Sequence, residues 1–394
     1  MQQIAMSAAP SQASLYTTEH SFSAAKYEEA TWDRLLPGDA ESYRYHLAFD
    51  LSKVEGFKTG YAAVRRGGIV VCLAPYFITD YRLDSTIQGP IKRFTSWVNG
   101  IAPGLLSLRL LCVGSPVTDS GKIGITHDYP FDPEIITALH QELEQIAKRE
   151  DASVIAFKDI LESDTGRFAE PLIQAGFSRV GNMPVGINRV DYASLDEYLE
   201  TLSYATRKNL RRKRKVLPQM QIEEHDGMPP DLDAIYQLYL SCYERSELKF
   251  EKLTKQFFES VATLMPDNCR FVLYRAEGKL IGFNLLLHRN GVLLDKYIGL
   301  DHLLGRKYNL YFLSWLHNIE MSIRDGFHIF QSGQAAYEMK IKLGSELQQT
   351  YVFFRHRNPV FNPLLKLASK FLAYANFDSA ISKEKSNSPA ASAL

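Results

Sequence analysis

The chain has 394 residues, which is long enough for two domains of ordinary size, each with its own hydrophobic core. Lys plus Arg and Asp plus Glu both number 45, so no net charge draws the whole protein towards nucleic acid or an anionic membrane. The start lacks the basic and apolar regions of a secretory signal, and no apolar run is long enough to predict a membrane span. We therefore expect a cytoplasmic protein, with disordered polar segments at residues 1–30 and 377–394.

In the first half of the chain, strand and helix patterns follow each other in a definite order. GYAAVRR and IVVCLAPYFIT flank Gly67-Gly68, which predicts two antiparallel strands joined by a tight turn, and LLSLRLLCVG extends the pattern. A helix is expected to begin at Asp132-Pro133 and to continue through IITALHQELEQIAKRE. The strand SVIAFK, a helix over residues 166–175 and the strand FSRVGNMPVGINRV complete the half.

The second half repeats this order after helical material predicted from Leu195 to Pro266. RFVLYRA, LIGFNLLLHR and VLLDKYIGL, separated by Glu277-Gly278-Lys279 and Asn290-Gly291, predict an antiparallel meander. A helix over RKYNLYFLSWLHNIEMSIRD, the strand HIFQS, a helix over AAYEMKIKL and the strand ELQQTYVFFRHR follow. Both halves thus show the order β-β-β-α-β-α-β, which predicts a duplication; chance recurrence of common signals is the alternative.

Motifs of several other site types are missing from the sequence. It contains no GxSxG, no P-loop and no HExxH, and neither His127-Asp128 nor His288 has partners at metal-ligand spacing. The four cysteines show no CxxC spacing, and all but Cys242 lie in apolar runs typical of strands. We expect no metal and no disulfide, with the cysteines as buried free thiols.

An antiparallel meander followed by α-β-α-β resembles the GNAT acyltransferases, and two such units joined by a basic helix resemble the FemAB-like group, more closely its BioF2-like branch. The resemblance implies an α/β (α+β mixed sheet) fold of two tandem GNAT-like halves, residues 31–190 and 191–376, with the active site in the second. The resemblance lies in three segments, SYATRKNLRRKRKVL, LDKYIGLDHLLGRKYNLYFLSWLHNIEMSIRDGFHIFQSG and YEMKIKLGS. In the third segment Lys342 replaces the arginine of the family's Tyr-x-x-Lys-x-Arg-x-Gly.

The resemblance also implies where an acyl donor binds. In GNAT proteins the donor's pyrophosphate rests on free backbone amides where the third meander strand meets the long helix. Here that turn contains Gly305, Arg306, Lys307 and Asn309, with Lys307 where the signature has its second glycine. Acetyl-CoA or acyl-CoA is expected as a cosubstrate, with no tightly bound cofactor. The alternative is an ordinary surface turn.

Acyl transfer to an amine needs a base for the amine and an acid for the leaving group. Asp295 should face away from its two strand neighbours, and such a carboxylate is either exposed or functional. Tyr337 and Lys340, three residues apart, share a helix face; Tyr337 is a candidate acid and Lys340 a candidate ligand for a carboxylate or phosphate. Gln334 and Lys342 are candidates for substrate binding.

We therefore expect an N-acyltransferase that moves an acyl group from CoA or a similar thioester to a small amine or amino-acid-like acceptor, without a covalent enzyme intermediate. Two alternatives stay open: an aminoacyl-tRNA-dependent Fem-type transferase and a non-catalytic GNAT-like binding module. The run from Arg207 to Lys215 holds seven basic residues in nine. It predicts a site for a phosphate-rich ligand, a surface for RNA or membrane, or a solvated helix.

Overall fold

The structure, a computed structural model, describes residues 15–82, 107–246, 249–363 and 365–367. Within these residues thirteen strands form a single sheet in the order β1-β2-β3-β4-β6-β13-β7-β12-β11-β10-β9-β8, with the short β5 paired to β3. The strands are β1 (Tyr16–Ser21), β2 (Lys58–Arg66), β3 (Ile69–Arg82), β4 (Ser107–Val113), β5 (Gly124–Ile125), β6 (Val154–Leu161), β7 (Ser178–Arg189), β8 (Gln221–Asp226), β9 (Cys269–Ala276), β10 (Lys279–Arg289), β11 (Val292–Leu300), β12 (Ile329–Gly333) and β13 (Glu346–His356).

Helices cover both faces of this sheet, which confirms the predicted mixed α/β class with two GNAT-like halves. The α-helices of the described residues are α1 (Glu29–Leu35), α2 (Tyr43–Ser52), α3 (Glu134–Arg149), α4 (Thr165–Gln174), α5 (Leu195–Thr201), α6 (Tyr204–Lys213), α7 (Leu232–Arg245), α8 (Lys255–Leu264), α9 (Leu304–Lys307), α10 (Leu310–Asp325) and α11 (Tyr337–Lys342).

The pattern of antiparallel and parallel pairing is the same from either edge of the sheet. In each half four antiparallel strands lead to one parallel pair, β4 with β6 in the first half and β11 with β12 in the second. The tight turns predicted between β2 and β3, β9 and β10, and β10 and β11 are confirmed. In the last of these Asn290 and Gly291 both have positive φ, 48° and 77°, which suits the twist of a two-residue hairpin.

The last strand of each half lies between strands of the other half. The neighbours of β7 are β13 and β12, and the neighbours of β13 are β6 and β7. Each half therefore completes the sheet of the other. The chain passes from the first half to the second after β7 ends at Arg189, through α5 and α6.

Of the three largest hydrophobic cores, one lies mainly in each half and the third contains residues of both halves. In the shared core Tyr45 and Phe49 of α2 pack edge-on against Phe257 of α8, and all three side chains are buried. Together with the exchanged strands, this core holds the halves together as one unit.

Three expectations from the sequence are wrong. Residues 15–30, expected to be disordered, contain the edge strand β1, while residues 1–14 and 377–394 lie outside the described part of the chain. The stretch expected to be helical before the second meander contains the strand β8. The single long helix is broken into α9 and α10 because Asn309 adopts a left-handed conformation with φ 54°.

The expected state of the cysteines is confirmed, since all four are free and Cys72, Cys112 and Cys269 are buried in strands. Among the described residues, none of the helices has the length and apolar character needed to cross a membrane.

Candidate active site at the seam of the two halves

The candidate site begins where the parallel strands β11 and β12 separate. Their last paired residues are Leu294 and Gln331, and the strands then diverge. Next to this point β11 carries a β-bulge, because Asp295 pairs with Leu286 and Tyr297 with Leu285, which leaves Lys296 as an extra residue. We call the region where the two strands stop pairing, beside the bulge and Asp295, the notch.

Asp295 faces α10 across this notch. Its carboxylate accepts hydrogen bonds from the side-chain amide of Asn284 at 2.8 and 3.0 Å and from that of Asn318 at 3.1 Å. Burial raises the pKa of Asp295 to about 6, although the bonds from Asn284 oppose this rise. A carboxylate with such a pKa is suited to accept a proton near neutral pH.

Lys340 lies at the other side of the notch and holds the turn that follows β12. Its ammonium group donates to three backbone carbonyls, those of Ser332, Gly333 and Gln334, at 2.6, 2.9 and 3.0 Å. Burial lowers the pKa of Lys340 to about 8. All three N–H donors are used by the backbone, which favours a positioning role over the expected binding of a substrate anion.

Tyr337 and Gln334 also contact backbone of the seam. The Tyr337 hydroxyl is buried and donates to the Pro184 carbonyl in β7 at 2.9 Å. The Gln334 side-chain amide donates to the Met183 carbonyl, also in β7, at 3.1 Å. The hydrogen bond of Tyr337 favours a role in holding α11 against β7 over the expected role of general acid.

The first half contributes a carboxylate to the notch of the second half. Asp119 lies in the loop after β4, and its Oδ1 is 3.2 Å from the Nζ of Lys296. A Cβ built on Gly333 would lie 3.2 Å from Asp119 Oδ2 and 3.8 Å from the backbone oxygen of Asp295. Asp119 therefore lies against the diverging strands, beside the stretch that carries Asp295.

Sequence analysis did not single out Asp119. The one local signal is its position in the polar turn Thr118-Asp119-Ser120-Gly121, at the carboxyl end of a parallel strand, where functional side chains often collect. Its approach to Asp295 depends on the contact between the two halves, which no local pattern shows.

Buried charges extend from Asp119 into the first half. The ammonium group of Lys296 also pairs with Glu41 at 2.7 Å, and Glu41 pairs in turn with Lys122 at 3.2 Å. Glu251 lies on the same side, where burial raises its pKa to about 7 and its Oε1 is 3.5 Å from the Tyr297 hydroxyl. The seam thus contains cations and carboxylates in alternation. Two of its carboxyl groups, those of Asp295 and Glu251, have pKa values raised towards neutral pH.

On the expected donor side, the amides at the start of α9 are already occupied. The Asp301 carboxylate accepts from the backbone N–H of Leu303 at 2.9 Å and of Leu304 at 2.7 Å. Gly305 lies within α9, and Lys307 pairs with Glu277. A carboxylate therefore lies where the resemblance implies a pyrophosphate, and like charges there oppose acyl-CoA binding.

The remaining predicted residues lie around this region without joining the notch. Asn309 precedes α10, and its side-chain oxygen accepts from Lys213 of α6 at 2.7 Å. Arg306 lies in the last turn of α9, and Lys342 pairs with Glu338 on the exposed side of α11. In the described part of the chain, no group of three or more His, Cys, Asp or Glu side chains is arranged to hold a metal ion.

Helix α6 carries the basic run and borders an open groove of about 630 Å³. The side chains of Lys208, Arg211 and Lys215 are exposed at this groove, as is Tyr204. In the described ranges none of these three cations pairs with a carboxylate, so the groove has an uncompensated positive charge. Lys213, on the same helix, donates to the Asn309 side chain at the start of α10.

The topology is that of two GNAT-like units in tandem, and three solved structures share it. FemX matches over 88% of this chain and 100% of its own, with 14% identity and a TM-score of 0.58. A tandem GNAT protein from the clavulanic acid biosynthesis pathway matches over 86% and 98%, with 16% identity and a TM-score of 0.52. The C-terminal domain of a putative lysylphosphatidylglycerol synthetase from Agrobacterium fabrum matches over 86% and 93%, with 14% identity and a TM-score of 0.50.

At these identities the structures show a shared fold, and the sequence identifies the family. Residues 111–389 match the FemAB-like family, described as peptidoglycan biosynthesis/recognition. The match covers more than half of the chain, which therefore belongs to the FemAB-like family. The predicted resemblance is confirmed at this level, and family and fold together support an aminoacyl or acyl transferase. Comparison with curated proteins gives no match.

Proposed function

We propose that this protein transfers an acyl or aminoacyl group from an activated carrier to an amine, in the notch between β11 and β12. The observation that carries the proposal is the approach of Asp119, from the first half, to the stretch of the second half that bears Asp295. Membership in the FemAB-like family and the tandem GNAT-like fold support the reaction class.

The proposed reaction is a direct attack of the amine on the activated carbonyl carbon. The amine enters as an ammonium ion and first gives a proton to Asp295, whose pKa of about 6 leaves most of the carboxylate ionised at pH 7. A carbon–nitrogen bond then forms, the bond to the carrier breaks, and the carrier leaves with a proton. Asp119, held by Lys296, is assigned to orient the ammonium group.

Lys340 and Gln334 have a supporting part in this proposal. Lys340 donates to the carbonyls of the turn after β12, and Gln334 of that turn donates to the Met183 carbonyl of β7. These bonds fix the position of the turn beside the notch. Because rate falls steeply when reacting groups are misplaced, this rigidity should matter for turnover even though neither side chain touches the reacting atoms.

Substitution of the two carboxylates tests the proposed site. Asp295→Asn and Asp119→Asn should each lower transfer to an amine by roughly 10²–10⁴-fold, because a positioned proton acceptor contributes about that much. The matched control is Asp233→Asn, which removes a carboxylate that is 88% exposed on α7. Transfer would be measured with a panel of amines, amino acids and short peptides as acceptors. Wild-type transfer that both active-site variants retain would contradict the assignment.

The donor is a separate question, and two observations favour aminoacyl-tRNA over acyl-CoA. Asp301 occupies the amides expected to hold a pyrophosphate. The groove beside α6 offers exposed cations suited to a larger phosphate-rich molecule, and Lys213 of the same helix contacts Asn309 at the start of α10, the helix whose Asn318 contacts Asp295. We therefore propose aminoacyl-tRNA as the donor and keep acyl-CoA as the competing prediction.

A charge-matched pair of variants separates the two donors. The triple variant Lys208→Gln, Arg211→Gln, Lys215→Gln should weaken tRNA binding by roughly tenfold or more and flatten its salt dependence. The triple variant Lys26→Gln, Lys53→Gln, Lys148→Gln removes the same charge from exposed positions elsewhere and should bind as wild type does. Calorimetry with acetyl-CoA and longer acyl-CoAs completes the test. Heat from acyl-CoA and none from tRNA would reverse the choice, and the absence of both would favour a non-catalytic binding module.

A further inference from the structure

A second cavity lies in the first half, apart from the notch. Its volume is about 410 Å³, which is within the range of about 300–1,000 Å³ usual for small-molecule sites. It opens between the start of α4, the loop from α1 to α2 and the loop that precedes β5. Neither Asp119 nor Asp295 lines it. Its apolar wall is formed by Leu35, Leu36, Ile123, Ile125, Ile160 and Phe168.

Two opposite charges stand together at this cavity. Asp164 precedes α4 and Arg167 lies in its first turn, three residues on, so their side chains share one side of the helix. In the described part of the chain, neither the Asp164 carboxylate nor the Arg167 guanidinium has an ion-pair or hydrogen-bond partner. Asp164 does not even cap α4, although aspartate at that position usually does.

The side chain of Asp164 is half-buried, whereas that of Arg167 is exposed. Burial raises the pKa of its carboxyl group, while the nearby charges of Arg167 and Lys122 oppose the rise only in part. The cavity is also lined by Lys122 and Asp39, which pair with each other at 2.8 Å, and Lys122 pairs with Glu41 at 3.2 Å as well. Among the described residues, Asp164 and Arg167 therefore carry charges that no ion pair or hydrogen bond engages, next to an apolar wall.

We propose that this cavity binds a small zwitterion with an apolar substituent, that is, an α-amino acid with a hydrophobic side chain. Arg167 pairs with its carboxylate, Asp164 accepts from its ammonium group, and the apolar wall covers its side chain. Charge balance decides the chemical class of the ligand. A simple anion would pair with Arg167 and leave Asp164 without a partner, and a simple cation would pair with Asp164 and leave Arg167 without one. This site is independent of the proposed transfer reaction.

Calorimetry on the full chain with L-leucine and L-phenylalanine tests the proposal. Each should bind with one site per chain. N-acetyl-L-leucine lacks the ammonium group and L-leucinamide lacks the carboxylate, so each should bind roughly tenfold more weakly or worse than L-leucine. Absence of heat from both amino acids at millimolar concentration would overturn the proposal, whatever the transfer assays show.

Two variants assign the head groups, and a third serves as the control. Asp164→Asn should abolish the preference for L-leucine over N-acetyl-L-leucine, and Arg167→Gln should abolish the preference over L-leucinamide. Lys148→Gln, at an exposed position of α3, should leave both preferences unchanged. Thermal unfolding of each variant verifies that it is folded. Undiminished L-leucine binding in both cavity variants would place the ligand elsewhere and overturn the assignment.

Discussion

The two parallel strand pairs have the same topology, yet different side chains lie where the strands of each pair separate. Between β4 and β6 the space is filled by Lys158, whose ammonium group donates to the carbonyls of Ser115 and Thr118 at 3.0 and 2.9 Å and pairs with Asp159. Between β11 and β12 the corresponding space has Asp295 on one side and receives Asp119 from the other half.

The comparison extends to single backbone positions. Asp159 lies two residues after the last residue of β6 that pairs with β4, and Gly333 lies two residues after the last residue of β12 that pairs with β11. Both have positive φ, 53° and 71°. The backbone bend has therefore been kept in both copies while the side chain has changed, and in the second copy the missing side chain leaves room for Asp119. The two halves thus share this backbone bend and differ in the side chain at the bend.

The largest effect should come from producing the two halves of the chain separately. Residues 1–190 alone would leave β7 without either neighbour, and residues 191–394 alone would leave β13 without either neighbour. We expect each fragment to be unfolded or aggregated, because unpaired strands expose a full row of backbone hydrogen-bonding groups. Circular dichroism and size-exclusion chromatography would show this, and co-expression should restore a folded complex. A folded, monomeric fragment of residues 1–190 would contradict the exchange of strands.

Lys340 should matter more for stability than any exposed lysine of the same helix. Lys340→Met leaves three buried carbonyls without a donor, and we expect a loss of about 3 kcal/mol or more in the free energy of unfolding. Lys342→Met, two residues on, removes only an exposed pair with Glu338 and should cost at most about 0.5 kcal/mol. Urea denaturation measures both losses. Equal losses would contradict the stabilising role of the three hydrogen bonds from Lys340.

The pH dependence of stability tests the environment of Asp295. Its pKa rises from 3.8 in an unperturbed carboxyl to about 6 in the folded protein, so the folded state holds a proton that the unfolded state has lost between these values. Stability contributed by this group is therefore lost as pH rises from about 4 to about 6. Relative to wild type, Asp295→Asn should gain roughly 1–3 kcal/mol across that range. Urea denaturation at several pH values, with Asp233→Asn as the control, measures the difference; parallel curves would contradict the pKa.

The smallest effect is expected at the bend itself. Gly333→Ala adds a Cβ 3.2 Å from Asp119 Oδ2 at a positive φ, and we expect a loss of about 1–2 kcal/mol in the free energy of unfolding. Ala335→Gly, two residues on, relieves a positive φ of 67° and should be neutral or slightly stabilising. Thermal unfolding compares the two. A neutral Gly333→Ala would show that Asp119 does not pack against this bend.

The sequence predicted most of the fold because its signals are local. Hairpin turns such as Asn290-Gly291 and the switch from strand to helix periodicity depend on neighbouring residues, and both were predicted correctly. Three strands were missed. The strand β5 has only two residues, and β1 and β8 occupy the two outer edges of the sheet and have the polar sequences YTTEHS and QIEEHD. Edge strands often carry polar and charged residues, so hydrophobic alternation does not mark them.

The site was less predictable because its parts come from distant segments. Asp295 could be noticed as a carboxylate within an apolar strand, but Asp119 and Lys296 meet only when the halves associate. Lys340 was found through the family motif, although its three bonds to backbone carbonyls depend on a turn that no local pattern predicts. Such contacts across large sequence separations have no signature in a single chain.

The exchange of β7 and β13 has a consequence for synthesis of the protein. The free side of β6 must wait for β13, which the ribosome makes nearly two hundred residues later, or roughly 10–40 s at ordinary translation rates. During that interval the nascent first half exposes an incomplete sheet that a chaperone would recognise. A premature stop codon before residue 346 would therefore remove a strand that β6 and β7 of the amino-terminal half need as a neighbour.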